Sequence, residues 1–160
     1  FQLIHHGRLP IKISRGVFRL GVLVWTFSTN RGNRMPTTEH MQQVVDQYLA
    51  AINAGDMAAV MALYSDDAAV EDPAGTEPKR GEQILQFYTN AFSGGAKVEL
   101  TGPVRISTKA AAFPFRAEIN GAAGQITIVE VIDIFEFDSA GKVIKMTAHF
   151  GPANITVRNA

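Results

Sequence analysis

Asp133, Asp72 and Tyr48 are the side chains through which this sequence could do chemistry. Asp133 lies within Thr127–Phe137, a run rich in β-branched and aromatic residues, bounded by Gly124 and by Asp138-Ser139-Ala140-Gly141. That composition predicts a long β-strand. With a regular pleat, Val129, Val131, Asp133, Phe135 and Phe137 share one face. A carboxylate in an apolar row loses its hydration, and without a compensating cation it takes up a proton. Asp133 would then be a hydrogen-bond donor. The pattern also allows a bulge that turns Asp133 to solvent at a sheet edge.

Asp72 closes Ala68-Ala69-Val70-Glu71-Asp72-Pro73, which is too short for a helix. The proline pushes Asp72 out of helical conformation, so the segment reads as a short strand or strand end. Asp72 then faces the Pro/Gly-rich loop Pro73–Gly81, the kind of segment on which chemistry is often mounted. An aspartate before proline can also serve only to start a turn. Tyr48 belongs to an apolar stripe, Met41, Val44, Val45, Tyr48, Leu49 and Ile52, with helical spacing between Pro36-Thr37-Thr38 and Gly55.

The elements that position these residues follow from the same patterns. Asp56 is expected to cap a second helix with Met57, Val60, Met61 and Tyr64 inward, ending at Ser65-Asp66-Asp67. Gly81-Glu82 opens a third, with Ile84, Leu85, Tyr88, Ala91 and Phe92 on one stripe and Ser93-Gly94-Gly95 as its end. Strands are expected at Lys97–Leu100, Val104–Ser107, Ala111–Ile119, Thr127–Phe137, Lys142–Phe150 and Ile155–Arg158. Pro114 calls for an edge position or a bulge. Three N-terminal helices followed by a strongly curved antiparallel or mixed sheet make an α+β fold. Such a sheet, wrapped around a helix, encloses an apolar pocket lined by Tyr48, Asp72 and the long strand.

Composition narrows the function. The 160 residues are 46% hydrophobic and 19% charged, as in an ordinary globular domain. With no cysteine, thiolate nucleophiles, thiolate metal sites and disulfides are excluded. His5, His6, His40 and His149 lack the spacing of a zinc-binding helix, so no metal is expected. Residues 1–34 hold six basic and no acidic residues, whereas 35–160 hold nine basic and fifteen acidic, a net of −6. An acidic body argues against nucleic acid as partner. Residues 1–34 are expected to be an extension, upstream-derived or non-native, although a basic acid-free segment also suits a transit or signal sequence. The body is expected to span 35–160. The apolar run Leu20–Phe27 is too short to span a membrane.

Beyond single residues, Tyr48, Asn53-Ala54-Gly55-Asp56, Val70-Glu71-Asp72-Pro73 with Gly75, Thr101-Gly102-Pro103-Val104-Arg105, Pro114-Phe115-Arg116 and Val131-Ile132-Asp133 form an ordered set. In order and near-spacing that set resembles the bacterial Δ5-3-ketosteroid isomerases, over essentially all of 35–160. The resemblance implies the cone fold of nuclear transport factor two, a homodimer, a steroid substrate, no cofactor and a cytoplasmic setting. It also implies that Asp72 is the general base and that Tyr48 and Asp133 form an oxyanion hole. Those isomerases are themselves the standard example of an aspartic acid kept neutral in such a hole. Here the residue pattern supplies the reason, an apolar strand face around Asp133.

The same resemblance assigns Tyr64 and Tyr88 to a supporting hydrogen-bond network. Read alone, they are core tyrosines with satisfied hydroxyls. Phe87, Phe115, Met146 and Phe150 are expected to line the steroid pocket, though each alone reads as core. The chain departs from the family in a loop one residue shorter between Pro73 and the third helix, and in the small Ala74. Both bear on substrate preference. The competing functions are another enzyme on the same cone, such as a polyketide cyclase or an epoxide hydrolase, and a non-catalytic binder of steroids or other apolar ligands. Epoxide opening would need an Arg between two carboxylates, and the face of the long strand opposite Asp133 offers none.

Overall fold

Thr37 starts the first helix: its side-chain oxygen accepts the His40 amide at 3.2 Å, a donor the helical ladder cannot satisfy. The computed structural model describes residues 35–159, and the expected extension over 1–34 lies outside the described residues. Helix α1 (Thr38–Ala54) ends at Gly55, whose φ of 69° is left-handed and whose N–H turns back to the Ile52 carbonyl. Its buried positions include the whole expected stripe from Met41 to Ile52. No helix among the described residues is long and apolar enough to cross a membrane.

The second helix is shorter than its apolar pattern suggests. Asp56 caps it, accepting the Ala59 amide at 2.9 Å, but α2 covers only Met57–Met61. Tyr64 opens strand β1 (Tyr64–Glu71) instead of closing a helix. The cause is distant: the Val143 amide donates to the Leu63 carbonyl at 3.0 Å, and Tyr64 pairs with Val143 in strand β7 (Val143–His149). With Val60 its sole buried residue, α2 has little packing of its own to oppose that pairing. Ser65-Asp66-Asp67 fall in the register shift between Tyr64 and Ala69.

After β2 (Lys79–Arg80) comes α3 (Glu82–Ala91), which buries Ile84 and Tyr88 while Leu85 stays largely exposed. Then follow β3 (Ala96–Leu100), β4 (Arg105–Ile106), β5 (Ala110–Asn120), β6 (Gln125–Phe137), β7 and β8 (Ile155–Asn159). The sheet is open and mixed, ordered β2-β1-β7-β6-β5-β3, and parallel only between β1 and β7. Its spine is the β5–β6 ladder, paired from Ala110–Glu136 to Asn120–Ile126. The second edge of β6 is divided between β7 and β8, and that of β5 between β3 and β4.

That division explains Pro114. Its carbonyl accepts the Thr101 amide at 3.0 Å, so its missing N–H points the same way, toward the connection between β3 and β4. The bond it cannot make is the reciprocal one to the Thr101 carbonyl, and the β3–β5 pairing ends one residue earlier, at Leu100 opposite Phe115. The concave face of the sheet closes over α1. Tyr48 meets Phe135 edge-to-face at 5.0 Å between ring centroids, and Phe113 meets Phe135 at the same distance. Each such fully buried aromatic contributes about 1.5–3 kcal/mol of burial energy. The Asn53 amide clamps α1 to the edge of β3, donating to the Val98 carbonyl at 2.9 Å and accepting its N–H at 2.8 Å.

Candidate active site

Register fixes Asp133. On β6 it faces Phe113 of β5 and Ala148 of β7 across the ladders. Val131, Asp133, Phe135 and Phe137 are all buried, while Glu130 and Ile132 are exposed, so the pleat stays regular through the acid. The shift between β6 and β7 comes at Glu136 and Phe137, beyond Asp133, and the alternative placement at a solvent edge does not occur. Asp133 is 1% exposed, the one acidic or basic side chain buried among the described residues. On the β7 side only the methyl group of Ala148 stands beside its backbone position.

Asp72 follows the end of β1. Glu71 pairs with Thr147 and turns outward, where Lys145 Nζ lies 2.8 Å from its carboxylate. Alternation therefore sends Asp72 inward. In the order β1-β7-β6, Asp72 and Asp133 stand two strand spacings apart, roughly 9–10 Å between backbones. The Asp72–Pro73 peptide is cis. The loop is fastened by the Ala74 amide donating to the Ala148 carbonyl at 2.7 Å and the Gly75 amide donating to Glu71 Oε2 at 3.0 Å. Lys79 Nζ donates to the Asp72 carbonyl at 3.3 Å. Asp72 is half-buried, and burial pushes its carboxyl up to about 6, against the opposing pull of the Lys79 ammonium.

Three hydroxyls line up behind the acid. Tyr64 and Tyr88 share a hydrogen bond of 2.7 Å, and Tyr88 and Tyr48 stand 3.3 Å apart. Tyr48 points its hydroxyl at Asp133 Oδ2 from 3.4 Å, long beside the usual ~2.7–2.8 Å of an O–H···O bond. Asp133 Oδ1 is buried without a partner among the described residues. Burial holds the Asp133 carboxyl well above the ordinary carboxylate range; the charge of Asp72 adds to this and the Tyr48 hydrogen bond opposes it. Burial likewise raises all three tyrosines well above their usual range, so they stay protonated donors. Tyr48 and the Asp133 carboxyl are thus only loosely engaged with each other.

Tyr48, Asp72, Tyr88 and Asp133 line one cavity of about 150 Å³, with Phe87, Phe115 and Phe150 on its apolar walls. Tyr64 does not reach it and stands behind Tyr88. Met146 does not reach it either: fully buried, it pairs with Phe135 one pleat deeper than Asp133, and the expectation that it lines the pocket is corrected. Val129 and Val131 line the wall, as expected of the apolar face of the long strand, and Phe92 lines it without having been expected there. Phe92 was legible, since it lies one helical turn after Tyr88. No group of three or more His, Asp and Glu side chains able to hold a metal ion occurs among the described residues.

The family model of the SnoaL-like domain matches residues 45–146, a span from α1 into β7 that contains all three candidate residues. The chain belongs to the SnoaL-like family. This SnoaL-like chain is 34% identical over 120 residues to a steroid Delta-isomerase from Nocardioides simplex, covering 75% of the chain and 97% of that protein. Among solved structures it is similar to the epoxide hydrolase/cyclase-like enzyme SalBIII, described in pyran ring formation in the polyether salinomycin. The TM-score is 0.70 at 21% identity, over 75% of the chain and 97% of the neighbour. At that identity the likeness speaks for the shared cone-like fold alone.

Proposed function

We propose that this protein is a steroid Δ-isomerase, moving the C5–C6 double bond of a 3-oxo-Δ5-steroid into conjugation with the carbonyl. The observation that carries the reading is the buried Asp133 carboxyl, whose Oδ1 has no hydrogen-bond partner among the described residues, in a cavity that Tyr48 and Asp72 also line. The relative named steroid Delta-isomerase supports it.

In this reading Asp72 removes a proton from C4. The electron pair moves into the ring and the C3 oxygen takes up negative charge as a dienolate. Tyr48 and neutral Asp133 donate to that oxygen, where developing charge is stabilised by donors already in position. Asp72 then returns its proton to C6, the double bond settles between C4 and C5, and the atoms balance without a co-reactant. A base raised to about 6 by burial is largely ionised at neutral pH yet basic enough to abstract the proton. Proton sharing along Tyr64, Tyr88 and Tyr48 strengthens the donor at the end of the row.

The test is to give purified protein 5-androstene-3,17-dione and follow the ultraviolet absorbance of the conjugated product. Conversion by the wild type that Asp72→Asn nearly abolishes is the expected result. Tight steroid binding without conversion would make the protein a binder instead.

A further inference from the structure

The cavity is smaller than the roughly 300–1,000 Å³ usual for small-molecule pockets. A ligand as long as a steroid, with its carbonyl at Asp133, must therefore project beyond it. One continuation is built into the fold. Phe87 and Ala91 line both the cavity and an open groove along α3, whose other walls are Lys79, Gln83, Gln86 and Asn90. The cavity wall is mostly apolar; past Phe87 the groove changes to three amide-bearing side chains and one cation.

Lys79 stands at that change. Its ammonium lies 4.7 Å from the centre of the Phe87 ring and spends one donor on the Asp72 carbonyl. No carboxylate lies within ion-pair distance of it among the described residues. It is half-buried and held by the short β1–β2 pairing, Lys79 opposite Val70. A cation fixed at the exit of an apolar slot, with donors to spare, fits an anion carried at the far end of the molecule that fills the slot.

We propose that the groove along α3 is an anion subsite in which Lys79 pairs with a carboxylate or similar charged substituent at the end of the steroid distant from the reacting carbonyl. This rests on the isomerase reading, which places the carbonyl end at Asp133. The substrate class narrows accordingly to 3-oxo-steroids with an acidic side chain, with Gln83, Gln86 and Asn90 as neutral partners at the rim.

The test compares binding of a 3-oxo-4-ene steroid 17-carboxylic acid with that of its methyl ester, which has the same ring system without the charge. The wild type is expected to bind the acid roughly fivefold more tightly, the upper range for a partly exposed ion pair. Lys79→Met should bring the ratio of acid to ester to about one, Lys79→Arg should keep most of it, and salt should erode it in the wild type. An ester bound as well as the acid, or a preference that survives Lys79→Met, overturns the subsite. Turnover of neutral 5-androstene-3,17-dione by the wild type is measured alongside. Turnover without acid preference overturns the subsite alone; absence of both overturns the subsite and the isomerase reading together.

Discussion

The Tyr48 hydroxyl stands 3.4 Å from Asp133 Oδ2, while Asp133 Oδ1 is buried with no partner among the described residues. An unmade hydrogen bond at a buried carboxyl costs on the order of 1–3 kcal/mol, and the fold does not relieve it. In the proposed reaction these two groups are the donors to the C3 oxygen of the steroid, an acceptor that arrives from outside.

Removing the base should stop chemistry and spare binding. Asp72→Asn is expected to lower kcat by about 10²–10⁴, with the affinity for a steroid product analogue changed little. In the wild type, kcat/KM should fall as pH drops through about 6, where Asp72 takes up its proton. Steady-state kinetics across pH checks both. A rate that rises on acidification would exclude Asp72 as the base.

The donor role of Asp133 separates two variants of similar size. Asp133→Asn keeps an N–H donor, whereas Asp133→Leu keeps none, so the asparagine variant should retain more activity. Losing one donor to developing negative charge commonly costs about 10²–10³ in rate. Equal losses in the two variants would remove the donor role.

The tyrosine row should show a gradient. Tyr48→Phe removes a hydroxyl that reaches the substrate and is expected to cost about 10²–10³ in kcat. Tyr88→Phe acts through Tyr48, and Tyr64→Phe through Tyr88, so their effects should be successively smaller. Kinetics of the three single variants tests the order.

Stability should depend on pH with a definite sign. Asp72 and Asp133 both have folded-state values raised above 3.8, so the folded protein holds protons that the unfolded chain has already released. Their contribution is fully present below that ordinary value and is lost as pH rises through the raised folded-state values, for Asp72 between 3.8 and about 6. Asp133→Asn removes its share. The variant's Tm should therefore decline less than the wild type's between pH 5 and 8. Parallel melting curves across that range would contradict the account.

How much of this was legible in the sequence depends on range. Tyr48 and Asp133 lie on long elements whose periodicity runs over many residues, and each took the face its spacing required. Tyr64 did not, because its place was decided by Val143, far along the chain, and no local pattern reports that pairing. Met146 shows a finer gap. Alternation told which side of β7 it faces, but whether it meets the cavity or lies beneath it depends on register with Phe135. The half-burial of Asp72, and with it a carboxyl raised to about 6, comes from the inward turn of the strand end and was not visible in the Pro/Gly-rich loop alone.

In the proposed reaction one carboxylate carries a proton from C4 to C6 across a cavity closed by two neutral donors. That transfer is tested most directly with 5-androstene-3,17-dione deuterated at C4, in a single turnover, locating the label in the product. Conjugated product with a share of the deuterium at C6 is the expected result, with loss of that product in Asp72→Asn. Unchanged starting steroid with wild-type protein would contradict it.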